Sequence, residues 1–156
     1  MHTSARIKLK FWKWIYPIFP YLQYPFSFFH SGRQKFPLGW LAPGKSLEDL
    51  KARLTSQGFG NHFVAWEDDG QVLSWRKFDG FEWQYHVRVF ADGEIRGHYE
   101  RTPEAAPLRH FAEIGEEARA EDFKKFLGDV LTAEKHITHL KPDAAAKNIQ
   151  TQITFS

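Results

Sequence analysis

Two histidines, two arginines and a glutamate carry the most suggestive chemistry in this sequence. His86, Arg88, Arg96, His98 and Glu100 fall in two alternating polar–apolar runs joined by Ala91-Asp92-Gly93. Read as a hairpin with a three-residue loop, the runs set His86 opposite His98 and Arg88 opposite Arg96, with facing Cβ atoms about 5 Å apart. Glu100 then lies two residues beyond His98 on the same face. Two imidazoles and a carboxylate make a donor set that zinc or iron(II) accepts, and His110 in the following loop is a fourth candidate. The motif is loose: the chain has eight His and no HExxH. A polar face turned to water accounts for the same residues, so no metal ligand is assigned.

Arg88 opposite Arg96 raises a second possibility. Like charges across a ladder are destabilising unless something of opposite sign lies between them. Glu82, Gln84 and Glu100 supply one form of relief. A small anionic ligand, phosphate or carboxylate, held in an arginine fork supplies another. His86, Arg88, Arg96, His98 and Glu100 are therefore the candidate ligand-binding residues.

Other chemistry is excluded or weak. With no Cys there is no thiolate nucleophile, no disulfide framework and no Cys-ligated metal. The phosphate-binding motifs G-x-G-x-x-G and G-x-x-x-x-G-K-[ST] are absent, as is a G-x-S-x-G elbow. His136 and His139, one helical turn apart, read as charges capping a helix C-terminus. No catalytic residue and no cofactor are assigned, and the balance falls toward binding over catalysis.

The elements that position the candidate face follow from periodicity. Ser46 and Asp49 resemble a capping box before Leu47, Leu50 and Leu54, and predict a helix over 47–57. Asp69-Gly70, Asp79-Gly80 and Asp92-Gly93 punctuate four strands near 62–67, 71–77, 81–90 and 94–101. Placing the second turn at Phe78-Asp79-Gly80 pairs Trp75 with Trp83 and sets Arg76 against Glu82. One face is apolar, with Phe63, Ala65, Leu73, Trp75, Trp83, Tyr85, Val87, Val89, Ile95 and Tyr99. The other is polar and reads as solvated. Phe123, Phe126, Leu127, Val130 and Leu131 match an amphipathic template and predict a second helix over 118–135. The fold class is α+β: a two-layer sandwich of a four-stranded antiparallel meander flanked in sequence by two helices.

At 156 residues the chain suits one domain. Residues 1–45 form a basic, aromatic, Pro-rich arm and linker, 46–135 the α+β domain, and 136–156 a polar tail. The arm carries seven Lys/Arg and no acid, whereas the remainder carries 14 basic against 19 acidic residues. Stretch 11–29 nearly matches a membrane span in length, but Pro17, Pro20 and Pro25 interrupt a helix. No small-residue cleavage site follows it, so it fits a signal peptide poorly.

Lys8, Lys10, Trp12, Lys13, Trp14, Tyr16, Phe19 and Tyr21 instead suit an interface, with rings in the headgroup zone and cations beside anionic lipid. Packing of the arm on its own sheet is the competing expectation. The partners expected are an anionic membrane surface or a protein, with nucleic acid less favoured because the body is net acidic. The expected function is a non-enzymatic binding domain, cytoplasmic and peripheral at the membrane where its arm engages lipid. The alternative is a small anion- or metal-binding enzyme using the His/Arg/Glu face.

Overall fold

A computed structural model of the chain describes residues 36–60, 70–106 and 118–141. The architecture is mixed α+β, with one antiparallel five-stranded sheet and, among the described residues, two helices. In chain order these are β1 (Pro37–Leu41), α1 (Leu47–Ser56), β2 (Gln71–Asp79), β3 (Trp83–Phe90), β4 (Glu94–Arg101), α2 (Ala120–Leu127) and β5 (Leu131–Thr132). The sheet order is β2-β3-β4-β1-β5. The strand expected near 62–67 lies outside the described residues, as do Phe63 and Ala65.

The β3–β4 hairpin has the register read from the sequence. Val89 faces Ile95, Arg88 faces Arg96, His86 faces His98 and Gln84 faces Glu100. A one-residue slip of β3 would send Val87 and Val89 out of the core and Gln84, His86 and Arg88 into it, so the pattern excludes that pairing. The β2–β3 pairing differs from expectation. Asp79 faces Trp83 and Trp75 faces Val87, because the turn is Gly80-Phe81-Glu82 and lies two residues further along. The displacement is even-numbered, so each side chain keeps its face while its partner changes. Arg76 accordingly faces His86 and not Glu82.

Two strands arise where none was expected. The segment 31–45 reads as a loop because Pro and Gly punctuate it, yet Pro37–Leu41 is a strand between β4 and β5. Pro37 stands at its first position, where a missing ladder donor is tolerated. Gly39, at φ 151°, is required by close approach: a Cβ there would lie 2.3 Å from the Thr132 carbonyl oxygen. The boundary drawn at residue 45 thus leaves a strand of the sheet on the arm's side.

The helix expected over 118–135 stops at Leu127. Gly128 (φ 56°, ψ −128°) takes a backbone conformation closed to other residues. A 3-10 turn over Gly128–Val130 follows, and Leu131 enters β5. The apolar spacing continues past the helix because the turn and strand bury the same side. Beyond it, residues 133–141 form no helix, so His136 and His139 do not cap one. This segment docks instead on the β3–β4 turn, with the Thr138 and Leu140 amides donating to the Asp92 and Ala91 carbonyls.

Helix α1 has the expected capping box. The Asp49 amide donates to Ser46 Oγ, and Asp49 Oδ2 accepts from the Ser46 amide. Both helices lie over the apolar face, where Leu50, Leu54, Phe123 and Leu127 join Tyr85, Val87, Val89, Ile95 and Tyr99 in one cluster. Arg53 ties the helices together by donating to the Phe126 and Lys125 carbonyls at 2.8 and 2.9 Å. These are orphan acceptors at the C-terminus of α2, where a cation is favoured.

Candidate polar-face ion site

The opposite face of β2, β3 and β4 is where sequence and structure part most. It reads as solvated, but Arg76, Gln84, His86, Arg88, His98 and Glu100 are all buried, with Glu100 only 2% and His98 6% exposed. Strand alternation assigns residues to a face and is silent about what covers it. Part of the cover is described: the Phe36 ring lies 6.1 Å from the His98 ring, and the segment after β4 folds Glu104 back against Arg76.

Burying this many charges is costly unless each is matched. Arg76 makes a bidentate pair with Glu104, at 2.6 and 3.1 Å. Its Nη1 also donates to Gln84 Oε1, and Gln84 Nε2 donates to Glu100 Oε1 at 2.7 Å. The chain Glu104–Arg76–Gln84–Glu100 therefore fixes the orientation of the Glu100 carboxylate. Thr102 shapes the turn that brings Glu104 round, since its Oγ1 donates to the Phe81 carbonyl and accepts from the Ala105 amide. Arg96 pairs with Glu94 at 2.6 Å.

Both histidines converge on Glu100. Their rings are 5.0 Å apart, edge to face. His86 Nδ1 lies 3.5 Å from Glu100 Oε1, and His98 Nε2 lies 3.1 Å from Oε2. Neither nitrogen has a hydrogen-bond partner despite full burial. One ligating atom from each of His86, His98 and Glu100 lies within 4.8 Å of the other two. The second nitrogen of His86, Nε2, is 2.8 Å from Ser74 Oγ. Burial pushes the His86 imidazole down to about 3, with the Arg88 and His98 charges adding to the effect and Glu100 opposing it. His86 is thus neutral near pH 7, the form that offers a lone pair.

No known protein family matches this sequence, and no curated protein or solved structure matches it. The functional reading rests on the chemistry of this face alone.

Of the five candidate residues, the structure brings His86, His98 and Glu100 together. Arg88 and Arg96 face each other as expected, but Arg96 turns to Glu94, which gives the like-charge pair a protein-borne counter-charge. Glu82 stands 3.7 Å from Arg101 instead. The arm residues Lys8, Lys10, Trp12, Lys13, Trp14, Tyr16, Phe19 and Tyr21 lie outside the described residues, as does His110. Ser74, Gln84 and Glu104 were missed as site residues. Ser74 and Gln84 are visible in the alternation, which puts them on the same face. Glu104 sits in an irregular segment after Pro103 and has no sequence signal. Among the described residues no helix is long and apolar enough to cross a membrane.

Proposed function

We propose that this chain is a small, non-enzymatic binding domain on a two-layer α+β frame, and that its binding element is the buried polar face of β2, β3 and β4. The ligand class is a small ion. One observation carries this reading: two imidazoles and a carboxylate converge in a buried site, with a ring nitrogen of each histidine left without a hydrogen bond. A network retained only for structure leaves few such groups, because each costs about 1–3 kcal/mol.

Thermal unfolding of the full chain in acetate, phosphate, Zn²⁺ and Co²⁺ tests it. A ligand at a hundred times its Kd adds about 2.7 kcal/mol to stability. At least one of the four is expected to raise Tm in the wild type and not in His98→Ala. No rise with any of them contradicts the reading.

The charge asymmetry favours a second reading. Seven Lys/Arg and no acid in the first 45 residues suit attachment to an anionic membrane surface. Co-sedimentation with phosphatidylserine-containing vesicles is expected to be salt-sensitive. Replacing Lys8, Lys10 and Lys13 together by Glu abolishes it. Equal sedimentation of the two chains, or none by either, contradicts this reading.

A further inference from the structure

We infer that His86, His98 and Glu100 form a site for a divalent first-row transition metal, with His86 Nδ1, His98 Nε2 and a Glu100 oxygen as ligands. This inference rests on the binding reading above and names its ligand. Three features of the geometry point to it.

The first is spacing. Ligand atoms about 2.0–2.1 Å from a zinc ion at tetrahedral angles are about 3.3 Å from one another. The His98 Nε2–Glu100 Oε2 and His86 Nδ1–Glu100 Oε1 separations are 3.1 and 3.5 Å, one to each carboxylate oxygen, and one donor from each of the three residues lies within 4.8 Å of the others, a spread that a bound metal draws in. Neither ring nitrogen makes a hydrogen bond at these distances.

The second is support behind the ligands. His86 Nε2 shares a hydrogen bond with Ser74 Oγ, 2.8 Å away, and Nδ1 is the nitrogen that faces Glu100; a metal on Nδ1 would require the proton on Nε2, donated to Ser74. Gln84 holds Glu100 Oε1 and is itself held by Arg76, which leaves Oε2 toward His98. Partners of this kind fix tautomer and orientation in metal sites, and losing one typically costs 10–100-fold in affinity.

The third is ligand chemistry. Two nitrogens and one oxygen disfavour calcium and magnesium, which take oxygen donors. Imidazole with carboxylate suits zinc, cobalt and iron(II). Three protein donors leave a fourth position for water or another small ligand, as in open zinc sites. The buried arginines on this face set the balance of charge. Arg76 is matched by Glu104 and Arg96 by Glu94.

The test is calorimetric titration of the full, metal-stripped chain with Zn²⁺, with Co²⁺ absorption as a second readout. One equivalent of Zn²⁺ is expected, with a four-coordinate Co²⁺ spectrum that Zn²⁺ displaces. Glu100→Gln and His98→Ala should lose the stoichiometric phase, and Ser74→Ala should weaken it 10–100-fold. The double variant His136→Gln/His139→Gln should bind as the wild type does, which excludes that pair as the site.

Circular dichroism checks folding. Should His98→Ala not fold, the Ser74→Ala shift and the wild-type Co²⁺ spectrum decide. Absence of stoichiometric uptake overturns the inference, as does uptake that survives Glu100→Gln or is lost with His136 and His139. Anion-dependent stabilisation without metal uptake overturns this inference alone. Failure of both anions and metals overturns the binding reading as well.

Discussion

The two faces of this sheet are both buried, but by different physics. On the helix side, Val87, Val89 and Ile95 bury apolar area under Phe123 and Leu127, and Gly97 lets the Phe123 ring settle within 2.8 Å of where a Cβ would be. Two phenols there each donate to a carboxylate, Tyr85 to Asp122 and Tyr99 to Asp79, and Arg119 donates to the Tyr85 oxygen. On the far side, charge is matched to charge, from Arg76–Glu104 to the imidazoles around Glu100. The first face gains stability from area, which scales with methylene count. The second gains little, because desolvation offsets most of the Coulomb attraction. A face that contributes little to stability, yet holds ionisable groups in fixed geometry, has the properties of a site.

The largest expected effect breaks that contrast directly. Arg76→Ala should cost about 3–5 kcal/mol, since it strands a buried Glu104 carboxylate. The double replacement Arg76→Met/Glu104→Leu should recover most of that loss. Urea unfolding of the two single variants and the double measures the coupling. If the double is as unstable as Arg76→Ala, the polar face is a stabilising element and the contrast fails.

On the helix side Phe123→Ala should cost a comparable 3–5 kcal/mol. Here no second substitution of the same kind restores stability, because what is left is a cavity and not an unmatched charge. Unfolding of Phe123→Ala beside Phe123→Ala/Leu127→Ala checks this, and recovery in the double contradicts it.

The pH dependence separates the faces further. His86 is held to about 3 when folded, below its ordinary value near 6.5. Between these values the unfolded chain binds the extra proton, so stability contributed by this group is complete above pH 6.5. It falls by up to about 1.4 kcal/mol per unit as pH drops toward 3. His86→Gln should flatten that slope in urea unfolding at pH 4–7. A slope unchanged by the substitution contradicts the assignment.

Tyr99 sharpens the helix side at the alkaline end. Burial, and the Asp79 carboxylate it donates to, raise its phenol to about 12. The unfolded phenol ionises near 10 and the folded one does not, so stability falls as pH rises from 10 to 12. Tyr99→Phe should remove this fall, at a cost at neutral pH of about 1 kcal/mol for the lost hydrogen bond. Equal alkaline sensitivity in Tyr99→Phe would sink the assignment.

How much of this was legible depends on how local the cause was. The β3–β4 register was readable because Val87, Val89 and Ile95 alternate with His86, Arg88 and Arg96, and the three-residue loop keeps them apart where a two-residue turn would mix them. The capping box of α1 was readable because Ser46 and Asp49 are three residues apart. The β2–β3 partners were not, since Asp79-Gly80 suits a turn at either of two places and an even displacement preserves the faces. Strand β1 was hidden by Pro37 and Gly39, and the reason for Gly39, the neighbouring Thr132 carbonyl, lies far along the chain. Leu131 looked helical because it buries the same side as Leu127 after the chain has changed course at Gly128.

The site was legible as a pairing and illegible as an environment. His86, His98 and Glu100 could be put on one face from spacing alone. Their burial depends on segments that pack across that face, and Glu104 reaches Arg76 through a turn with no periodicity.

The most direct measurement is the metal content of the full chain after dialysis against excess Zn²⁺ and then against metal-free buffer, wild type beside Glu100→Gln. One zinc per wild-type chain and none per variant is the expected result. No zinc in either, or equal zinc in both, contradicts the assignment of the polar face as a metal-binding site.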